Sequence, residues 1–153
     1  MITDTAASSD EVIIEAPVEL VWDILVDFEN YDKWNSFCPS MKTELKLGTP
    51  VEMMVDMGEG LFPMVEYMSR IEPNVAIAWA MENKPEDPVH AERTQYLKKI
   101  SDTSCTYLSV DEFGGPDLET MMATSAKAVE AGFNVAAYGL KAYAEKLFKE
   151  QQS

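Results

Sequence analysis

The hydrophobic pattern of this chain changes period once, and that change constrains the fold more than any other feature. From Met41 to Phe113 apolar residues recur at about every second position, whereas from Leu118 to Leu147 they recur every three or four. The first spacing lines one face of successive strands, and the second lines one stripe of a helix. Met41, Thr43, Leu45 and Leu47 predict one strand, Gly48-Thr49-Pro50 a turn, and Val51, Met53, Val55 and Met57 the partner strand. Val65, Tyr67, Ser69 and Ile71 form one face of the next, opposite Met64, Glu66, Met68 and Arg70, and Glu72-Pro73-Asn74 turns into Val75 to Met81. After a proline-containing loop at residues 83–88, Glu92 to Ile100 and Thr106 to Phe113 complete a run of about six antiparallel strands. Gly114-Gly115-Pro116 breaks the sheet, and Asp117 and Glu119 open a helix whose stripe is Met122, Ser125, Val129, Gly132, Ala136, Leu140, Tyr143 and Leu147. It covers roughly thirty residues, or about 45 Å, which is long for a compact domain.

Ahead of the sheet, Val12-Ile13-Ile14 is a β-branched run ending at Ala16-Pro17. Val18, Val21, Trp22, Leu25 and Phe28 then predict an amphipathic helix ending near Asn30, and Tyr31 to Pro39 a helical turn leading into a loop. The order strand, helix, helical turn, strands, long helix defines an α+β domain with an antiparallel sheet of about seven strands. With 153 residues a single domain is expected, at 11–149, with 1–10 as a flexible tail. One terminal helix covers only a strip of such a sheet. The space between is either packed with side chains or holds a ligand, and the order of elements leaves both open.

The chain carries 12 Lys+Arg against 27 Asp+Glu, a net charge of −15, and a phosphate backbone or anionic membrane would repel it. No nucleic-acid partner is expected. The longest apolar run, Val75 to Met81, is far short of the ~18 residues of a membrane span, so no membrane insertion is expected. Residues 1–10 lack the pattern of a secretory signal, and Cys38 and Cys105 lack the spacing of a disulfide framework or zinc site; a cytoplasmic location follows as the expectation. His90 is the only histidine, which removes histidine-based metal clusters. Gly58 and Gly60 begin a dinucleotide-like fingerprint, but Pro63 stands at its third glycine and no helix follows, so no cofactor is implied.

Two stretches carry a resemblance. Val12-Ile13-Ile14-Glu15-Ala16-Pro17-Val18-Glu19-Leu20-Val21-Trp22, continuing through Asp27-Phe28-Glu29-Asn30-Tyr31-Asp32-Lys33-Trp34-Asn35-Ser36-Phe37, is similar to the opening of the START/Bet v 1-like superfamily, and more narrowly to its polyketide cyclase/dehydrase and lipid-transport group. Phe133 to Glu145 resembles the closing helix of that group, and Trp79 and Asp111-Glu112-Phe113-Gly114-Gly115 fall where its middle strands carry similar residues. The resemblance implies a helix-grip fold, a curved antiparallel sheet wrapped around the C-terminal helix with a cavity between them. It also implies binding or transport of a small hydrophobic molecule, a lipid, polyketide or aromatic compound. The alternatives are an enzyme of the cyclase/dehydrase type and a co-chaperone-like interaction module.

The 10 methionines suit either core filling or the lining of an adaptable cavity. In the cavity reading Met53, Val65, Tyr67, Trp79, Met122 and Phe133 are walls. If the strands register as the resemblance suggests, Arg93, Gln95 and Leu97 share a face, Tyr107, Ser109, Asp111 and Phe113 share the facing one, and in the inward reading Arg93 points into the cavity. Arg93 then needs Asp111 or an anionic ligand group beside it, because an isolated buried charge is costly. With the opposite parity Thr94 and Tyr96 are inside and Arg93 is on the surface. Tyr67, Arg93 and Asp111 are the acid–base candidates of the enzyme alternative, and Gln95 and Ser109 join them as polar ligand contacts.

Overall fold

The structure is a computed structural model that describes residues 1–152. Its elements are β1 (Ala6–Ser8), β2 (Val12–Ile14), α1 (Val18–Leu25), a 3-10 segment (Phe28–Lys33), β3 (Ser40–Lys42), β4 (Pro50–Asp56), β5 (Leu61–Glu72), β6 (Ala76–Ala80), β7 (His90–Ser101), β8 (Ser104–Gly114) and α2 (Leu118–Gln152). The strands form one curved antiparallel sheet in the order β1-β8-β7-β6-β5-β4-β3, with β2 also paired to β8. Consecutive strands from β3 to β8 are neighbours, as expected of a chain that turns back on itself at short loops. This is the α+β helix-grip architecture.

The 35-residue α2 lies against the concave face. Ala126, Val129, Phe133, Ala136, Leu140 and Ala144 are buried at the three- and four-residue spacing of its stripe. Two glycines one heptad apart let the segment after the 3-10 turn press onto this helix. A Cβ at Gly132 would stand 2.3 Å from the Phe37 ring, and one at Gly139 would stand 2.1 Å from the Trp34 carbonyl oxygen. Phe37 therefore sits directly on the helix backbone and meets Phe133 edge to face at 5.7 Å.

Three local expectations are corrected. Ala6–Ser8, placed in a flexible tail, is a strand that pairs with Val110–Glu112, because β8 offers it an open edge. The strand expected over 41–47 pairs only at Ser40–Lys42, and Leu45 and Leu47 are 45% and 62% exposed. Among the described residues no element buries them, so their alternation has no core to face. The helix expected to reach Asn30 ends at Leu25 and resumes as the 3-10 segment, whose Tyr31 hydroxyl donates to the Leu25 carbonyl at 2.5 Å.

The face that β5 turns inward is also the reverse of the one predicted. Cross-strand partners share a face, and Met53 is opposite Met64 while Val51 is opposite Glu66. The β4 set of Val51, Met53 and Val55 is buried, so Met64, Glu66 and Met68 point in and Val65, 52% exposed, points out. A bulge between Met68 and Arg70 then restores the opposite parity, which brings Ile71 opposite Ile77 and turns Arg70 outward over the Tyr96 ring.

Candidate functional site

Between the concave face and α2 lies a cavity of about 210 Å³. Its apolar wall includes Met53, Val55 and Met57 from the β4 hairpin, Met64 from β5, Trp79 from β6, Val129 and Phe133 from α2, and Phe37. Three charged side chains enter this apolar space, each from a different strand: Glu66 (β5), Arg93 (β7) and Asp111 (β8).

Arg93 is 5% exposed, so the inward parity of β7 and β8 holds, and it stands opposite Asp111 in the ladder. Its Nε donates to Ser109 Oγ at 2.9 Å. The guanidinium carbon lies 4.2 Å from the centroid of Phe133, 5.6 Å from Trp79 and 5.8 Å from Phe37. Three rings thus cage the cation, an arrangement that stabilises it through the ring quadrupoles while holding water away. Of the two expected partners, Asp111 does not pair with it: among the described residues Arg93 makes no salt bridge, its Nη2 has no hydrogen-bond partner, and neither does Asp111 Oδ1.

The two carboxyls respond to the same surroundings. Burial pushes Glu66 up to about 8, with Asp111 adding to the rise and Arg93 opposing it. Burial likewise pushes Asp111 up to about 7, again opposed by Arg93. Arginine cannot shed its proton in a protein, so near neutrality the cavity holds one fixed positive charge and two carboxyls that exchange protons easily. Behind Arg93, Tyr107 donates its hydroxyl to Gln95 Oε1 at 2.6 Å, while Gln95 Nε2 is buried without a partner. Burial also raises the Tyr107 and Tyr31 phenols and pushes the Cys38 thiol up to about 11, so these stay neutral.

Of the residues expected at the site, Met53, Trp79, Arg93, Asp111 and Phe133 line the cavity. Gln95 and Ser109 are buried behind it, in contact with Tyr107 and Arg93. Val65 and Tyr67 lie on the outer face, and the Tyr67 hydroxyl is 3.4 Å from Glu82. Tyr67 therefore cannot serve as an acid or base in the cavity. Met122 faces the N-terminal segment beside Thr3 and Asp4, and Met121 lines the cavity in its place. Glu66 and Phe37 were not expected at the site, and Met64 only as one of the methionines that suit either a core or a cavity lining. The signal for Glu66 and Met64 was the hairpin register, and for Phe37 it was the glycine in the middle of an otherwise good helix.

A curved sheet closed by a long helix, with a cavity between them, defines a helix-grip type of domain. The chain belongs to the polyketide cyclase/dehydrase and lipid transport family, whose sequence profile matches residues 5–145. No curated protein matches it. Solved structures share the fold at low identity. The Zhui aromatase/cyclase from Streptomyces sp. R1128 is 18% identical with a TM-score of 0.72, over 92% of this chain and 93% of that one. A protein from Thermus thermophilus is 13% identical with a TM-score of 0.71, over 93% and 98%. A START superfamily protein from Mycobacterium smegmatis is 15% identical with a TM-score of 0.66, over 94% and 99%.

Proposed function

We propose that this protein binds a small, largely apolar molecule whose single polar group docks between Arg93 and Asp111. The observation that carries this reading is the pair of unpartnered atoms, Arg93 Nη2 and Asp111 Oδ1, in an otherwise apolar cavity. Buried polar groups without partners are costly, and a ligand whose polar group hydrogen-bonds to both removes both costs at once. The volume, about 210 Å³, argues for a compact occupant, since an apolar cavity of about 150 Å³ already accommodates benzene. One substituted ring or a small fused pair fits that space.

Native mass spectrometry of the purified protein tests the proposal. A retained molecule of defined mass that is lost on denaturation is the expected result. The absence of any retained molecule, together with no rise in Tm from a panel of one- and two-ring carbonyl and phenol compounds, would overturn it.

The enzyme reading has an observation of its own. Carboxyls raised to about 7 and about 8 have the protonation range that general acid–base chemistry needs at neutral pH. Cyclisation or dehydration of an aromatic or polyketide-like substrate would place Asp111 and Glu66 as proton carriers and Arg93 as the group that polarises a carbonyl. Product formation from candidate substrates, lost in Asp111→Asn, separates this reading from binding alone.

A further inference from the structure

We infer that the ligand is a compact apolar acid whose anionic head pairs with Arg93 and whose binding takes up a proton onto the carboxyls beside it. This rests on the cavity reading above and names the charge of its occupant.

Among the described residues Arg93 lacks a charge partner in the cavity. Its Nε donates to Ser109 Oγ and its guanidinium carbon lies 4.2 Å from the centroid of the Phe133 ring, so it is held on two sides, and it carries a permanent charge with no ion pair among the described residues. A neutral carbonyl would supply a hydrogen bond but leave that charge uncompensated in an apolar enclosure. A carboxylate or phenolate supplies both, in the planar geometry a guanidinium matches best.

The groups around it make this selective. Glu66 from β5 and Asp111 from β8 are the other charged residues lining the cavity, while β4, β6, α2 and Phe37 contribute apolar side chains and one hydroxyl, Ser125. Tyr31, Cys38 and Tyr107 also lie within electrostatic reach of Arg93 and are neutral. An incoming anion therefore meets one fixed cation and two carboxyls, and its own charge raises the cost of ionising either of them. Carboxyls that burial raises to about 7 and about 8 then take up a proton as the anion arrives. An uncharged ligand of the same shape makes no such demand.

Three probes of one shape test the inference: 4-ethylbenzoic acid, 4-ethylacetophenone and 4-ethylbenzylamine, titrated calorimetrically at pH 7.5 in two buffers of different ionisation heat. The acid is expected to bind at least tenfold more tightly than the ketone, with net proton uptake, and the amine most weakly. Glu66→Gln should bind the acid several-fold more tightly at pH 8.5 and show less uptake. Arg93→Met should abolish the preference for the acid; if that variant does not fold, Glu66→Gln carries the test. A ketone that binds as well as the acid, or acid binding without proton uptake and indifferent to Glu66→Gln, would overturn the inference and leave the cavity reading standing. Failure of all three probes to bind would overturn both.

Discussion

Replacing Glu66 by glutamine should stabilise the protein at alkaline pH and leave it nearly unchanged at pH 5. Burial and the neighbouring Asp111 lift the folded-state carboxyl from 4.5 to about 8. The folded chain thus binds this proton more tightly than the unfolded chain, and parent stability falls as pH rises through the window from 4.5 to about 8. At 1.36 kcal/mol per pH unit, linkage assigns Glu66 a loss of about 4 kcal/mol between pH 5 and pH 9. Glutamine resembles the protonated acid in shape and polarity but has no charge to bury, so that loss should vanish.

The assay is denaturant unfolding of both proteins at pH 5, 7 and 9. The curves should nearly coincide at pH 5, and the variant should be the more stable by a widening margin toward pH 9. A constant gap, or one that opens toward acid pH, would show that the Glu66 carboxyl is ionised in the folded protein at neutrality. The cavity floor would then carry a fixed negative charge beside Arg93.

Gly132→Ala should cost about 1–3 kcal/mol, since its Cβ would stand 2.3 Å from the Phe37 ring, and Gly139→Ala should cost more, since the opposing atom is a backbone oxygen at 2.1 Å; thermal unfolding reads both. Tyr107→Phe removes the hydroxyl bound to Gln95 and leaves a buried amide without its partner, a loss of about 1–3 kcal/mol by denaturant unfolding. Tyr67→Phe should change neither stability nor ligand affinity by more than about 0.5 kcal/mol, because its hydroxyl is on the outer face. Truncation before Met122 removes the helix that buries the concave face, and the shortened chain should bind a hydrophobic dye or precipitate.

The architecture was legible because it depends on counting periods. The switch from two to between three and four at Gly114-Gly115-Pro116 marks the end of β8 at Gly114 and the start of α2 at Leu118. Strand ends were less so, as Leu45 and Leu47 show: alternation reports what a strand could bury, not whether a layer exists to bury it. The β7–β8 half of the site was also within reach. Arg93, Gln95, Tyr107, Ser109 and Asp111 share one face whichever way it points, so a single choice of parity places all five.

The β5 half was out of reach because two small events decide it. The β4–β5 hairpin pairs Asp56 with Leu61 and so encloses four residues, 57–60, with Gly58 and Gly60 both at positive φ. An even loop sets odd positions of β4 against even positions of β5, which sends Glu66 in. A loop one residue shorter or longer would have sent Val65 and Tyr67 in, as the β-branched and aromatic character of that face suggested. Farther along, the bulge between Met68 and Arg70 reverses the parity again, so that Met64 and Met68 are inside from one register and Ile71 from the other. A single alternation drawn through the whole strand must misplace one end of it. An alternation that satisfies Ile71 misplaces the end carrying Glu66, the carboxyl that makes the charge on this cavity floor depend on pH.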